Sequence, residues 1–301
     1  MKSLYKSEIG KKEIINLYEQ KLKDLGIDYN YKIIDTEFGK TNIIITGNST
    51  KPPILLIHGS NGCAPIALET YPNLHEDFQV FAIDVLAQPN KSAETRLSMK
   101  DNSYGTWIND IINQLKLKNV TMAGFSLGGL IILKTLIQNE KNIKEVFLSA
   151  PAFIINGNPL ILLFKVFIPM KLFIKTEKVA YLKKFLNTLF TEPDDFALKY
   201  LAKVFIHFKM DFTPVPVISK EEAKLINTPI TLFAAKKDIM FPGEKMLKRA
   251  KKIFPSLKKA ILLENSKHVQ NSSDNYTIEK IILKKNKVLS KDVNAERPNI
   301  P

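Results

Sequence analysis

The residues Gly124-Phe-Ser-Leu-Gly128 stand between an apolar run, Val120 to Ala123, and a helical pattern from Leu127 to about Asn139. A G-x-S-x-G pattern has chemical meaning only between a strand and a helix, and that is its context here. A serine on so sharp a turn has strained backbone angles, and the chain folds back closely on both sides. Only small residues fit two before and two after it. Gly124 and Gly128 supply them, and Gly129 lets the helix lie close to the strand. Such a turn would lift the Ser126 hydroxyl out of the sheet, with the Leu127 N–H pointing at the same spot. The plainer reading is a glycine-rich turn with an incidental serine, so partners must decide.

A serine hydroxyl is a poor nucleophile at neutral pH. It needs a base to take its proton and an acid to hold that base in the right tautomer. The chain has four histidines: His58, His75, His207 and His268. His268 lies in a loop after the last strand-like run and opens onto the same sheet edge as Ser126, which makes it the expected base. His58 is followed by Gly59-Ser60-Asn61-Gly62 and is expected to hold that loop by local hydrogen bonds. His75 falls at the wrong edge, and His207 falls outside the strand–helix alternation. Asp238 sits just past the run Ile230 to Ala235 and gives the chain order Ser…Asp…His. Asp84 also ends a strand, but one that precedes the serine strand, so its expected role is to bond loop amides. Asp101, Asp110 and Glu264 read as surface or helix-start carboxylates. Negative charge developing on an attacked carbonyl needs two N–H donors, roughly 3–4 kcal/mol each. Leu127 supplies one, and the 59–62 loop the other, from Ser60 first and Asn61 second. No metal-ligand spacing and no phosphate-binding glycine motif occurs, so neither a metal nor a cofactor is expected.

These groups must be held by a scaffold, and the rest of the chain provides its pattern. Buried strands are expected at Pro53–Ile57, Phe78–Ile83, Val120–Ala123, Ile143–Leu148, Pro229–Ala235 and Ala260–Leu263. Helices fall between them at 102–115, 127–139, 243–253 and 278–288. This alternation implies an α/β fold, with right-handed crossovers and a mostly parallel sheet covered on both faces. Runs at 31–36 and 41–46, with Phe38-Gly39-Lys40 as the turn, read as an edge hairpin. The alternation breaks over 152–226, which reads as short helices rich in Phe, Leu, Ile and Lys. Thr191 and Asp194 look like the cap of one helix, Ser219 and Glu222 of another. An insertion there falls at the carboxyl ends of the strands, over the expected site. Residues 1–30 form a helical extension, 31–151 with 227–289 the core, 152–226 the cap, and 290–301 a loose tail.

The net charge is +14, from 44 Lys+Arg against 30 Asp+Glu, yet arginine occurs only at Arg96, Arg249 and Arg297. Nucleic-acid recognition favours arginine forks, so no nucleic-acid partner is expected. The scattered lysines read as solvated faces, with attraction to anionic membranes left open. Cys63 is the sole cysteine, which excludes an intrachain disulfide. The N-terminus lacks the apolar core of a signal peptide, and Pro159–Ile174 is too short and too charged to span a bilayer, so a cytoplasmic location is expected.

With these residues in place the chain resembles the α/β-hydrolase superfamily, and within it serine carboxylesterase-like members with a helical cap. The resemblance covers roughly residues 32 to 288. It rests on His58-Gly59 after a buried strand, Gly124-Phe-Ser-Leu-Gly-Gly129, Ala235-Lys-Lys-Asp-Ile-Met-Phe-Pro242, and His268. It implies a sheet of about eight strands, a catalytic Ser126–His268–Asp238 triad, and cap residues shaping the pocket. The segment Leu86-Ala-Gln-Pro-Asn-Lys-Ser92 departs from the more glycine-rich turn of many relatives. A serine nucleophile argues against haloalkane dehalogenases and epoxide hydrolases, and Leu127 against proline iminopeptidase-like members. The expected activity is hydrolysis of a small, apolar carboxylic ester. Acyl transfer, thioester hydrolysis and carbon–carbon cleavage use the same triad, and a non-catalytic ligand-binding protein of this fold is the remaining reading. Phe164, Phe167, Phe173, Phe190, Phe205 and Phe208 either shape an apolar pocket or form the cap's own core.

Overall fold

The computed structural model describes the backbone of residues 3–295 and the side chains of residues 3–284. Its strands are β1 (Tyr29–Thr36), β2 (Gly39–Thr46), β3 (Pro53–Ile57), β4 (Gln79–Ile83), β5 (Val120–Phe125), β6 (Ile143–Ser149), β7 (Ile230–Ala235) and β8 (Leu257–Leu263). They form one sheet in the order β1-β2-β4-β3-β5-β6-β7-β8. β1 pairs β2, and β2 pairs β4, antiparallel. From β4 through β3 to β8 every pairing is parallel. The central runs are apolar without alternation because helices cover both faces, and β7 is buried along its whole length. Trp107, Ile108, Ile111 and Ile112 of the helix Ser103–Gln114 pack on one face with the helix that follows β5. The N-terminal helix, Leu68 and the cap close the other.

Several elements differ from expectation. The hairpin turn is Glu37-Phe38, and Gly39, at φ 113°, already pairs with Thr36 in the ladder. β8 begins at Leu257 rather than Ala260, because Lys258 and Lys259 face solvent on this edge strand and hide its start in the sequence. The last helix spans Ser272–Ala295 rather than 278–288. The first residues of the expected loose tail, 290–295, are therefore helical, and 296–301 lie outside the described residues.

The N-terminal helix, Glu8–Asp24, starts at Ser7, whose side chain accepts the Gly10 N–H. Its Ile14, Tyr18 and Leu22 are fully buried, so it belongs to the packed body rather than standing apart from it. Between β6 and β7 lie the helices Pro159–Leu162, Ile168–Thr176, Val179–Leu189, Asp195–His207 and Lys220–Lys224, with a π-helical turn at Leu163–Phe167. Pro169 lacks the N–H that the i→i−4 ladder needs there, and the widened turn sits just before it. Ser219 and Glu222 form the expected capping box. Asp194 caps Asp195–His207 alone, by accepting the Ala197 N–H, and Thr191 is used elsewhere. No described helix is long and apolar enough to cross a membrane.

Candidate active site

Ser126 ends β5 and leads into the helix Leu127–Gln138 with φ 52° and ψ −113°. That geometry is held by the chain around it. The Ser126 N–H donates to the Ser149 carbonyl at 3.1 Å, and its own carbonyl accepts from Gly129 and Ala152 at 3.0 Å each. The glycines answer to measured crowding. A Cβ on Gly124 would lie 2.6 Å from Ile132 Cδ1, one on Gly128 2.1 Å from the Ile57 carbonyl oxygen, and one on Gly129 2.4 Å from Pro151 Cβ.

The structure brings Ser126, His268 and Asp238 together. His268 Nε2 is 3.1 Å from Ser126 Oγ, and its Nδ1 is 2.8 Å from Asp238 Oδ2. The second carboxylate oxygen of Asp238 accepts the N–H groups of Met240 and Phe241, which fixes the acid in its turn. With Asp238 ionised, Nδ1 carries the imidazole proton and Nε2 is left to accept from the serine. Phe125 and Phe241 flank the His268 ring, with centroids 5.0 and 5.4 Å away. The arrangement can pass the hydroxyl proton to an imidazole shielded from bulk water.

Thr191, which reads as a helix cap in the sequence, instead holds the histidine loop. Its hydroxyl donates to the Val269 carbonyl at 2.8 Å and accepts the Lys267 N–H at 3.0 Å. The neighbours on both sides of His268 are thus tied to the cap, and Phe190 pairs with Val269 as an isolated bridge.

Of the two donor candidates in the 59–62 loop, Asn61 is committed: its N–H donates to Gln88 Oε1 at 2.7 Å. The N–H groups of Ser60 and Leu127 bond no protein group among the described residues, and both residues border the same cavity as Ser126. Gln88 was missed from the sequence, though it lies in the segment singled out as unlike its relatives. It is buried, and its bond fixes the loop next to Ser60. Replacing Gln88 by Ala should lower kcat/KM on an ester about tenfold, mainly through kcat, because the loop beside Ser60 then loses its anchor.

His58 and Asp84 play the supporting parts expected of them. His58 Nδ1 donates to the Gly59 carbonyl at 2.8 Å, and Nε2 accepts the Val85 N–H at 3.0 Å. Burial lowers its pKa to about 4, so it stays neutral. Asp84 accepts from the Ala64 N–H, Asn42 Nδ2 and the Tyr18 hydroxyl, which fastens the N-terminal helix to the loop region. Its burial raises the pKa to about 6 against those donors. The two groups act oppositely on acid stability. From pH 6.5 to 4 the unfolded chain protonates His58 while the fold does not, which removes roughly 3 kcal/mol. From pH 6 to 4 the fold protonates Asp84 before the unfolded chain does, which adds a similar amount, roughly 3 kcal/mol. Asp84→Asn should therefore steepen the loss of stability between pH 6 and 4, measured as urea midpoints. His75 bonds the Pro72 carbonyl and His207 pairs with Glu13, both away from this site.

The cavity over Ser126 has a volume of about 1020 Å³ and lies under the cap. Phe167, Phe190 and Phe205 line it. Phe173 and Phe208 are cap core instead, and Phe164 is 62% exposed. Glu69, Glu192, Asp194, Asp211 and Glu279 also border it, and among the described residues no lysine or arginine does, in a chain with 44 of them.

An elbow serine at the carboxyl edge of this eight-stranded sheet, under a helical insertion, gives the chain the α/β-hydrolase fold. A family profile described as the alpha/beta hydrolase fold matches residues 52–187. The chain resembles bacterial carboxylesterases: it is 30% identical over 138 residues to carboxylesterase YbfK of Bacillus subtilis and 30% identical over 122 residues to the uncharacterized carboxylesterase nap of the same organism. The matched stretches cover 45% and 40% of this chain and 46% and 40% of those relatives, less than half the length of each. The crystal structure of naproxen esterase from Bacillus subtilis shares the fold with a TM-score of 0.80 at 21% identity, over 92% of this chain and 98% of that one.

Proposed function

We infer that the protein hydrolyses uncharged carboxylic esters by way of an acyl-enzyme. The observation that carries this reading is the unbroken hydrogen-bonded series from Ser126 Oγ through His268 to Asp238 inside a large, mostly apolar cavity. Ser126 Oγ attacks the ester carbonyl carbon while its proton passes to His268 Nε2. The resulting oxyanion is held by the N–H groups of Leu127 and Ser60. On collapse the carbon–oxygen bond to the alcohol breaks, and His268 returns the proton to the leaving oxygen. A water molecule then attacks the acyl carbon, gives a proton to Nε2, and releases the acid with the serine restored. Asp238 orients the imidazole and stabilises its cationic form throughout.

The lining favours esters over the alternatives that share a triad. A coenzyme A thioester carries phosphates, which call for lysine or arginine, and the cavity offers carboxylates. The same reasoning predicts selectivity by charge. An ester whose acyl chain ends in a carboxylate should be turned over at least about tenfold less efficiently than its uncharged methyl-capped analogue, and raising salt should narrow the gap. The deciding experiment is labelling with a fluorophosphonate, wild type beside Ser126→Ala and His268→Ala, followed by turnover of nitrophenyl esters of graded chain length. Labelling that needs both residues, with turnover of some chain length, supports the reading. A folded wild type that neither labels nor turns over any ester sinks it in favour of ligand binding.

A further inference from the structure

The helical stretch from Pro159 to Thr176 is apolar on both sides. Leu162, Val166 and Met170, at four-residue spacing, face inward and line the cavity. Much of the opposite side is exposed among the described residues. Leu160 is 65% exposed, Ile161 and Leu163 43% each, Phe164 62% and Ile168 36%, and Phe212 beside them is 45% exposed. The Phe212 ring meets Phe167 at 6.3 Å, so the exposed patch is continuous with the cavity lining. A helix apolar all round is normally enclosed by protein or by lipid.

The charge around this patch is mostly positive. Lys165, Lys171, Lys175 and Lys178 are exposed along the same stretch, against the single carboxylate Glu177. Lys171 Nζ lies 4.6 Å from the centre of the Phe212 ring. Lys6 and Lys209 gather beside Lys171; burial and then the repulsion of these two neighbours lower the Lys6 pKa. Asp211 is the carboxylate next to Phe212, and its side chain is engaged by Thr213. Apolar side chains ringed by lysines match a bilayer surface of anionic lipid, where the side chains enter the acyl boundary and the ammonium groups meet headgroup phosphates.

We propose that the cap face formed by Leu160, Leu163, Phe164 and Ile168, with Lys165 and Lys171 at its rim, docks on anionic lipid surfaces. Docking there would bring the cavity lining at Phe167 and Phe212 close to the membrane, so that a lipophilic molecule can pass from the bilayer to the site. The surface is distinct from the hydrolytic reading, since none of those residues belongs to the serine, histidine and aspartate constellation.

The test is flotation of the full chain with phosphatidylcholine vesicles, with and without phosphatidylglycerol, at low and at high salt. Ser126→Ala is run in parallel so that binding is read without any hydrolysis. The full chain should float with the anionic vesicles at low salt and lose at least about tenfold in partitioning at high salt or on neutral vesicles. The paired change Leu160→Asp and Phe164→Asp, and separately Lys165→Glu with Lys171→Glu, should each lower partitioning about tenfold or more, with circular dichroism and urea midpoints unchanged. Failure of the wild type to float with anionic vesicles at low salt overturns the proposal, as does binding that ignores all four substitutions. If sedimentation instead shows a dimer that Phe164→Asp dissolves, and no vesicle binding, the face is an interface between two copies and the proposal fails.

Discussion

On the proposed acyl-enzyme route, Ser126→Ala is expected to lower kcat/KM on an activated ester by about 10⁴-fold or more, roughly 5 kcal/mol of barrier, while the protein stays folded. The reason for the first half is that the proposed acyl-enzyme route has no substitute for Oγ, and His268 Nε2 would lose its hydrogen-bond partner 3.1 Å away. The reason for the second is that the side chain makes its one recorded bond to that histidine, while the backbone bonds to Ser149, Gly129 and Ala152 survive. The comparison with Ser126→Gly sharpens the point. Serine and alanine both suffer the φ of 52°. That strain costs roughly 1–3 kcal/mol, and glycine escapes it while giving back about 1 kcal/mol in chain entropy. Both variants should be inactive, and Ser126→Gly should be the more stable by about 1 kcal/mol in urea denaturation. Equal stability would mean that the turn is relaxed in solution and that Ser126 is not held ready by its surroundings.

Gly128→Ala is expected to damage the fold itself. The added Cβ would sit 2.1 Å from the Ile57 carbonyl oxygen and near the His58 carbonyl. Neither obstacle can swing away, because β3 is paired to β4 on one side and to β5 on the other. The helix must therefore back off, which opens the contact between Leu127–Gln138 and the sheet and shifts the Leu127 N–H. Overpacking against backbone costs about 3 kcal/mol or more. Urea unfolding should show a midpoint well below wild type, and ester turnover should fall even where the variant remains folded. A midpoint within about 0.5 kcal/mol of wild type would mean that the close approach of helix and strand is not kept in solution.

Much of the scaffold was readable because its signals are local. The unbroken apolar runs of β3, β5 and β7 announce a doubly covered sheet, and the elbow glycines answer to contacts with strands on either side. Asp238 and His268 could be placed because strand ends and chain order restrict where such groups can meet Ser126. What escaped were contacts between loops far apart in the chain. Thr191 followed by Asp194 looks like a helix-capping pair, yet Asp194 caps unaided and the threonine reaches across to Lys267 and Val269. Gln88 bonds Asn61 across a gap of 27 positions, and no periodicity encodes that. Tyr18 shows the same limit. It reads as one more apolar position on an amphipathic helix, and only the fold shows that its hydroxyl ends on Asp84.

The separation of Ser126 from His268, 142 positions along the chain, also governs when the site can exist. Parallel strands cannot be joined by tight turns, so each added strand requires a long loop to close before its contacts repay the lost entropy. During synthesis the elbow and its helix emerge with their strands, followed by the greasy helices of the cap, while β8 and the histidine loop do not yet exist. Until they do, the elbow serine lacks its histidine partner and the cap lacks its bridge to Val269, and apolar surface left exposed at such a stage is prone to aggregate.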